Sequence, residues 1–176
     1  AQYIYLASEL KAAGFNRGII RSFGFRSGPS AGTLQRNNFS IQMGLTALEE
    51  YSKAEFIPNA YLKEVKAAGN QTLVANAPNM FKLDEPFVWD GYSNIVVQIT
   101  YSDMVGTGFT STAAVSTSYA STNSYRTIFA SSATNDLNTM LGLGTGTRDL
   151  IRINGIFDIL DGCFNEMREI NINFSD

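Results

Sequence analysis

Apolar and polar residues alternate along much of this chain, and a period of two is the pattern of half-buried β-strands. The alternation is clearest in NNFSIQMG, where Phe39, Ile41 and Met43 fall on one face and Ser40 and Gln42 on the other. In GIIRSFGFRS, two phenylalanines again share a face, opposite serine, glycine and arginine. Each segment is therefore predicted to be a strand with one buried face.

A third strand is predicted in SNIVVQITY, where Ile95, Val97, Ile99 and Tyr101 share a face. We expect Ile95, Val97 and Ile99 to pack with the apolar face of NNFSIQMG into one common core. Val96 lies on the opposite face, and an apolar residue there indicates partial burial on both sides of the strand.

Helical patterns are short. SELKAAG (8–14) predicts one or two helical turns, with Ser8 as the N-cap and Gly14 as the left-handed residue that ends them. A second short helix is predicted within residues 135–147, before a glycine-rich turn. Eight to ten short strands with almost no helix predict an all-β antiparallel β-sandwich, formed as a single domain by residues 1–176.

The composition narrows the classes of partner. Charged residues make up 16% of the chain, against roughly 25% in typical soluble proteins, and Ser, Thr, Asn and Gly fill the difference. Uncharged polar surfaces of this kind are common on extracellular β proteins. The net charge of −3, with scattered basic residues, argues against nucleic acid and against insertion into a membrane. Cys163 is the single cysteine, so an internal disulfide is excluded.

No catalytic site is predicted. Ser30 stands in GPSAG, which matches the G-x-S-x-G nucleophile elbow, but the chain contains no histidine to accept the serine proton. The glycine-rich residues 142–147 lack the spacing and the lysine of a phosphate-binding loop. We therefore expect a protein that is not an enzyme. We expect it to need no cofactor, with a structural calcium ion as the one candidate exception.

The candidate ligand site is the stretch WDGYSN, which contains Trp89, Asp90, Tyr92 and Asn94. Aromatic faces for stacking on sugar rings, together with amide and carboxylate groups for the hydroxyls, would suit a glycan. The same residues also suit a structural corner, because tryptophan usually buries most of its area and Asp-Gly is a common turn pair. The corner interpretation is favoured, and the glycan site is the alternative.

A structural calcium ion is a second candidate, because extracellular sandwiches often hold Ca²⁺ with aspartate and backbone oxygens. The candidate ligands are Asp84, Asp90 and Asp103, with Asp158 and Asp161 as further contributors. The chain contains no D-x-D-x-D-G array, so the alternative is that these carboxylates are simply solvated.

The order of QYIYLASELKAAGF, GIIRSFGF, NNFSIQMG, DEPFVWDGYSNIVVQITYSD and REININF resembles one extracellular module. It is similar to the jelly-roll-like β-sandwich of large surface and secreted proteins of Bacteroidota. That module often stands beside fibronectin-type or PKD-type domains and a type IX secretion sorting tail. The resemblance spans nearly the whole chain, although Arg168-Glu169 stands where the family has Arg-Pro.

The resemblance implies a jelly-roll-like antiparallel sandwich at the cell surface or outside the cell, within a larger protein. The leading expectation is a non-catalytic binding or adhesion module that recognises a glycan or another surface protein. The first alternative is a structural repeat or subunit of a surface filament or complex. The second is an accessory domain of a secreted hydrolase. The fold alone does not decide between them.

The resembling family also has a strand upstream of the apolar run at residues 3–6. Its absence here predicts a sheet edge that is completed by preceding chain or by a neighbouring subunit through strand addition. The alternative is that residues 3–6 form the edge strand themselves.

Overall fold

The computed structural model describes residues 1–28, 34–102, 104–105, 108–109, 119–131, 146–161 and 168–171. Most of them lie in β-strands that form two antiparallel sheets, so the predicted all-β sandwich class is confirmed. The finer assignment to a jelly roll stays a prediction. Among these residues, no helix is long and apolar enough to cross a membrane.

The larger sheet has six strands, in the spatial order β11 (Thr147–Asp149), β10 (Thr127–Phe129), β1 (Gln2–Tyr5), β6 (Asn94–Thr100), β3 (Leu34–Thr46) and β4 (Lys63–Leu73). The smaller sheet has four strands, in the order β14 (Arg168–Asn171), β13 (Gly155–Asp161), β2 (Gly18–Arg26) and β5 (Pro78–Trp89). Two further pairs are β12 (Ile151–Ile153) with β9 (Tyr119–Ser121), and β7 (Met104–Val105) with β8 (Gly108–Phe109). The helices are α1 (Ala7–Ala12) and a short 3-10 helix (Asn59–Tyr61).

The core lies between the two sheets, and the predicted apolar faces form it. In the register of β3 with β6, Ile41 lies opposite Ile99 and Met43 opposite Val97, and all four side chains are buried. Phe39 of β3 and Phe81 of β5 join the two sheets, with their ring centroids 4.6 Å apart. The prediction of one common core is confirmed.

The outer face of the six-stranded sheet is also covered, by residues 47–62 between β3 and β4. A row of glutamines crosses three strands, because Gln2 donates to Gln98 at 2.7 Å and Gln98 donates to Gln42 at 2.9 Å; Gln2 and Gln98 are buried and Gln42 is half-buried. The covering segment also hydrogen-bonds Gln2, since the Ile57 amide donates to the side-chain oxygen of Gln2 at 2.9 Å. Val96 on this face is fully buried, which confirms the predicted burial on both sides of β6.

β1 is an interior strand. It pairs with β6 along its whole length and with β10 at Gln2 and Tyr3, so β1 neither forms an edge strand nor leaves an open edge beside it. Completion of another sheet edge by preceding chain or by a neighbouring subunit stays a prediction. The helix that follows β1 ends as predicted, because Gly14 has a φ of +90°. It begins two residues earlier than predicted, since the N-cap is Leu6 and not Ser8.

The start of α1 is fixed by side chains rather than by its N-cap residue. The Leu6 amide donates to Glu9 at 2.8 Å, and the Ala7 amide donates to Asn94 at 2.8 Å. These bonds satisfy two amides that lack partners within the helix. Asn94 is 87 residues away, so this cap could not be recognised from a local pattern.

An ion cluster joins α1 to the strands that lead from one sheet to the other. Arg152 on β12 is 1% exposed; it donates to the Glu9 carboxylate at 2.6 Å and to the Ile4 carbonyl at 2.9 Å. Arg126, next to β10, donates to the other Glu9 oxygen. Arg152 also lies over the Tyr5 ring, 4.5 Å from its centroid. The cluster ties α1, β10 and β12 together.

Replacing Val97 by Asp is expected to prevent folding. Val97 has no exposed surface, and an unpaired buried carboxylate costs several kcal/mol, which is most of the stability of a domain this size. The matched control is Val88→Asp, because Val88 is 67% exposed. Circular dichroism and urea unfolding check both variants. A Val97→Asp protein as stable as the parent would refute the described burial.

Replacing Glu9 by Gln is expected to lower the free energy of unfolding by about 3 kcal/mol, because the buried guanidinium of Arg152 loses its carboxylate. The control is Glu49→Gln, which removes an exposed carboxylate and should change stability by less than about 0.5 kcal/mol. Urea unfolding of the three proteins measures the difference. Equal losses in both variants would count against a structural role for the cluster.

Candidate functional site

The corner between β5 and β6, residues 90–93, is held by the carboxylate of Asp90. One oxygen accepts from the amides of Tyr92 and Ser93, both at 2.8 Å, and the other accepts from the Ser93 hydroxyl at 2.7 Å. Gly91 occupies the left-handed region with a φ of +82°, which favours glycine. The turn therefore has a fixed backbone, with Tyr92 near its tip.

The pKa of Asp90 reflects these bonds. Partial burial works to raise the pKa, but hydrogen bonds from the Ser93 hydroxyl and from the Ser93 and Tyr92 amides outweigh it and hold the pKa below its ordinary value. Asp90 is consequently ionised at neutral pH, and its carboxylate oxygens are occupied within the turn.

Trp89 and Asn94 flank the turn and anchor it. Trp89 is 1% exposed, and its indole N–H donates to the Ser93 carbonyl at 2.8 Å. Its ring therefore has no open face for a sugar in this structure. Asn94 accepts from the Ala7 amide and donates to the Leu48 carbonyl at 2.9 Å, so both ends of its amide group are used.

Tyr92 is the predicted site residue whose ring faces solvent, with 80% of the residue exposed. The Nζ of Lys11, on α1, lies 5.0 Å from the centroid of this ring. Arg17 lies beside the same turn: a Cβ added at Gly91 would be 3.1 Å from the Arg17 Cβ. The corner thus combines one exposed aromatic ring with two cationic side chains.

Lys11 and Arg17 are exposed, and neither forms a salt bridge within the part of the chain that the structure describes. By contrast, Lys63 pairs with Glu85 at 3.5 Å, and Arg126 and Arg152 share Glu9. The charged groups of Lys11, over the Tyr92 ring, and of Arg17, beside the turn, therefore have no carboxylate partner among the described residues.

The three candidate calcium ligands do not form one described site. Asp84 accepts from the Ala67 amide at 2.9 Å, which links the edge strands β5 and β4. Asp90 is occupied within its turn, and Asp103 lies outside the described residues. Over the described ranges, no group of three or more acidic or cysteine side chains could hold a metal ion.

A shallow open pocket of about 210 Å³ lies in the segment that covers the six-stranded sheet. Its lining includes Tyr51, Phe56 and Pro58, together with Glu50 and Glu55. Tyr51 and Phe56 also pack on Ile4 as a second small apolar cluster. The pocket thus forms where the apolar side chains of this covering segment pack inward on the sheet.

Two other sequence features, the elbow-like motif and the glycine-rich stretch, lie largely outside the described residues. Ser30, of the elbow-like motif, lies outside the described residues. Of the glycine-rich residues 142–147, the structure describes Gly146 and Thr147, and the Gly146 amide donates to the Ala54 carbonyl at 2.9 Å.

The cationic part of the corner was not predicted from the sequence. Lys11 and Arg17 are ordinary charged residues in their local sequence, and no motif links them to a tyrosine 75 or more residues away. The fold brings them together, because α1 and the start of β2 pack beside the β5–β6 turn.

Comparisons with protein-family models, with curated proteins and with solved structures found no match to this chain. The resemblance to the Bacteroidota surface module therefore stays a prediction, as do the ligand and the location that it implies.

Replacing Asp90 by Ala is expected to lower the free energy of unfolding by about 1–2 kcal/mol at pH 7, because the turn loses its acceptors. A lowered pKa in the folded state contributes stability above the ordinary carboxylate pKa, and that contribution is lost as the pH falls through the folded value. The difference between parent and variant should therefore shrink in acid.

Thermal unfolding between pH 7 and pH 2 measures that difference. The control is Asp90→Asn, which keeps one acceptor but has no charge, so it should be less destabilised than Asp90→Ala at pH 7. A gap between parent and Asp90→Ala that is constant over the whole pH range would show that the carboxylate charge is unimportant.

Proposed function

We propose that this domain is a non-catalytic binding module of an extracellular or cell-surface protein, and that it binds a glycan at the β5–β6 corner. One observation carries the proposal: Tyr92 presents an exposed ring on a turn whose backbone is already fixed by Asp90.

A tyrosine in this position suits a sugar for a physical reason. The C–H face of a pyranose ring is apolar and packs on an aromatic face, while the phenolic hydroxyl hydrogen-bonds the sugar hydroxyls. Tyrosine has two side-chain torsions to order, and the turn beneath it is already ordered. Binding therefore loses little conformational entropy.

Two properties of the chain support a non-catalytic, extracellular role. The chain has no histidine, and the Asp90 carboxylate is committed to three hydrogen bonds within the turn. Charged residues are scarce, and the Ser, Thr and Asn that replace them are typical of extracellular β proteins. The resemblance noted in the sequence points in the same direction.

Replacing Tyr92 by Ala is expected to weaken glycan binding at least about 10-fold, which is the loss of about 1.4 kcal/mol of stacking and hydrogen bonding. Biolayer interferometry against a panel of immobilised neutral and acidic polysaccharides measures the affinities. Circular dichroism should show an unchanged fold, since the side chain is exposed.

The matched control is Tyr101→Ala. Tyr101 is 48% exposed and lies next to a cation, since the Arg36 guanidinium is 4.9 Å from its ring centroid. It follows the far end of β6, about 20 Å from the corner. Its replacement should leave binding unchanged. A panel that the parent does not bind, or equal binding by parent and Tyr92→Ala, would refute the proposal.

A further inference from the structure

Beyond a glycan in general, the corner indicates the charge of its ligand. We propose that the bound glycan is anionic, bearing carboxylate or sulfate groups, and that Lys11 and Arg17 bind those groups while Tyr92 stacks on a sugar ring. The inference rests on the proposed function, because it takes the same corner as the glycan site.

The first observation is an imbalance between the whole chain and the corner. The chain carries a net charge of −3, yet Lys11, which lies over the exposed ring, and Arg17, which is exposed beside the same turn, are cations without salt bridges among the described residues. A neutral sugar would need no cation there, whereas a carboxylate or sulfate would gain two charge-assisted hydrogen bonds.

The two cations differ in their chemistry and in their place at the corner. Lys11 lies over the Tyr92 ring on a flexible stem, with its Nζ 5.0 Å from the centroid. Arg17 is next to Gly91 at the base of the same turn. A guanidinium presents a planar pair of N–H donors that matches a carboxylate or sulfate, whereas an ammonium acts as a point charge. Together they can hold adjacent charged groups of an acidic chain.

Two carboxylates lie near the corner. Asp90 is ionised and offsets one of the two positive charges, but its oxygens are bonded within the turn, whereas Glu9 of α1 is shared by two arginines. Glu49 and Glu50 are exposed; they follow Leu48, whose carbonyl bonds Asn94 at the start of β6. Lys11 lies on α1 and Arg17 immediately precedes β2, so both cations belong to segments other than the one that carries Glu49 and Glu50.

The test uses polysaccharides that differ in charge but not in backbone. One pair is polygalacturonate with its methyl-esterified form, and the other is dextran sulfate with dextran. We expect at least one anionic polymer to bind about 10-fold tighter than its neutral counterpart, and this preference should fall as NaCl is raised from 0.05 to 0.5 M. The two pairs distinguish a carboxylate ligand from a sulfate ligand.

The double variant Lys11→Gln with Arg17→Gln is expected to abolish the preference for the anionic polymer. The matched control is Lys53→Gln with Lys82→Gln, which removes two exposed cations elsewhere and should keep the preference. Poly-L-glutamate separates glycan recognition from charge alone: it should bind weakly, and Tyr92→Ala should not affect that binding.

The outcomes are distinct. Equal binding of charged and neutral polymers, reduced in Tyr92→Ala but not in Lys11→Gln with Arg17→Gln, would overturn the anionic ligand and leave the proposed glycan site intact. Equal binding of polyglutamate and anionic glycans, indifferent to Tyr92, would show attraction by charge alone and overturn both proposals. No binding to any polymer would also overturn both.

Discussion

The carboxylate of Glu9 is the group on which the arrangement of this sandwich depends. The chain passes from the six-stranded sheet to the four-stranded sheet between β11 and β13, and Arg152 is buried at that passage. A buried guanidinium is tolerated when its charge is matched, and Glu9 supplies the match while also accepting from Arg126. Because Glu9 lies on α1, the same bonds fix the helix against β12 and against the edge of the six-stranded sheet next to β10.

The fixed helix determines the candidate site. Lys11 is two residues after Glu9 on α1, so the cluster that holds Glu9 also places Lys11 over Tyr92. Asn94 strengthens the connection from the other side, since its side chain bonds both the start of α1 and the Leu48 carbonyl. The buried ion cluster thus holds α1 in place, and α1 in turn positions Lys11 over the exposed Tyr92 ring.

The strands could be predicted from the sequence, whereas the links between them could not. Phe39, Ile41 and Met43 reveal their burial because strand periodicity is a local property of the chain. The bond between Glu9 and Arg152 spans 143 residues, and nothing local marks either side chain as buried. Local preference predicts Ser8 as the N-cap, but the hydrogen bond from the Ala7 amide to Asn94 favours a start two residues earlier, with Leu6 as the N-cap. Local sequence preferences therefore did not predict these two contacts, because each partner is distant in the sequence.

The same contrast explains why the aromatic pair at the corner has divided roles. Trp89 and Tyr92 are three residues apart, and from sequence both are candidates to stack on a ligand. Trp89 ends β5 on the inward face, so its large ring is buried in the core and its N–H is satisfied by the Ser93 carbonyl. That burial and the Asp90 bonds hold the turn in one conformation. Tyr92 extends from this rigid base into solvent, so the buried Trp89 helps to fix the turn that presents the exposed ring.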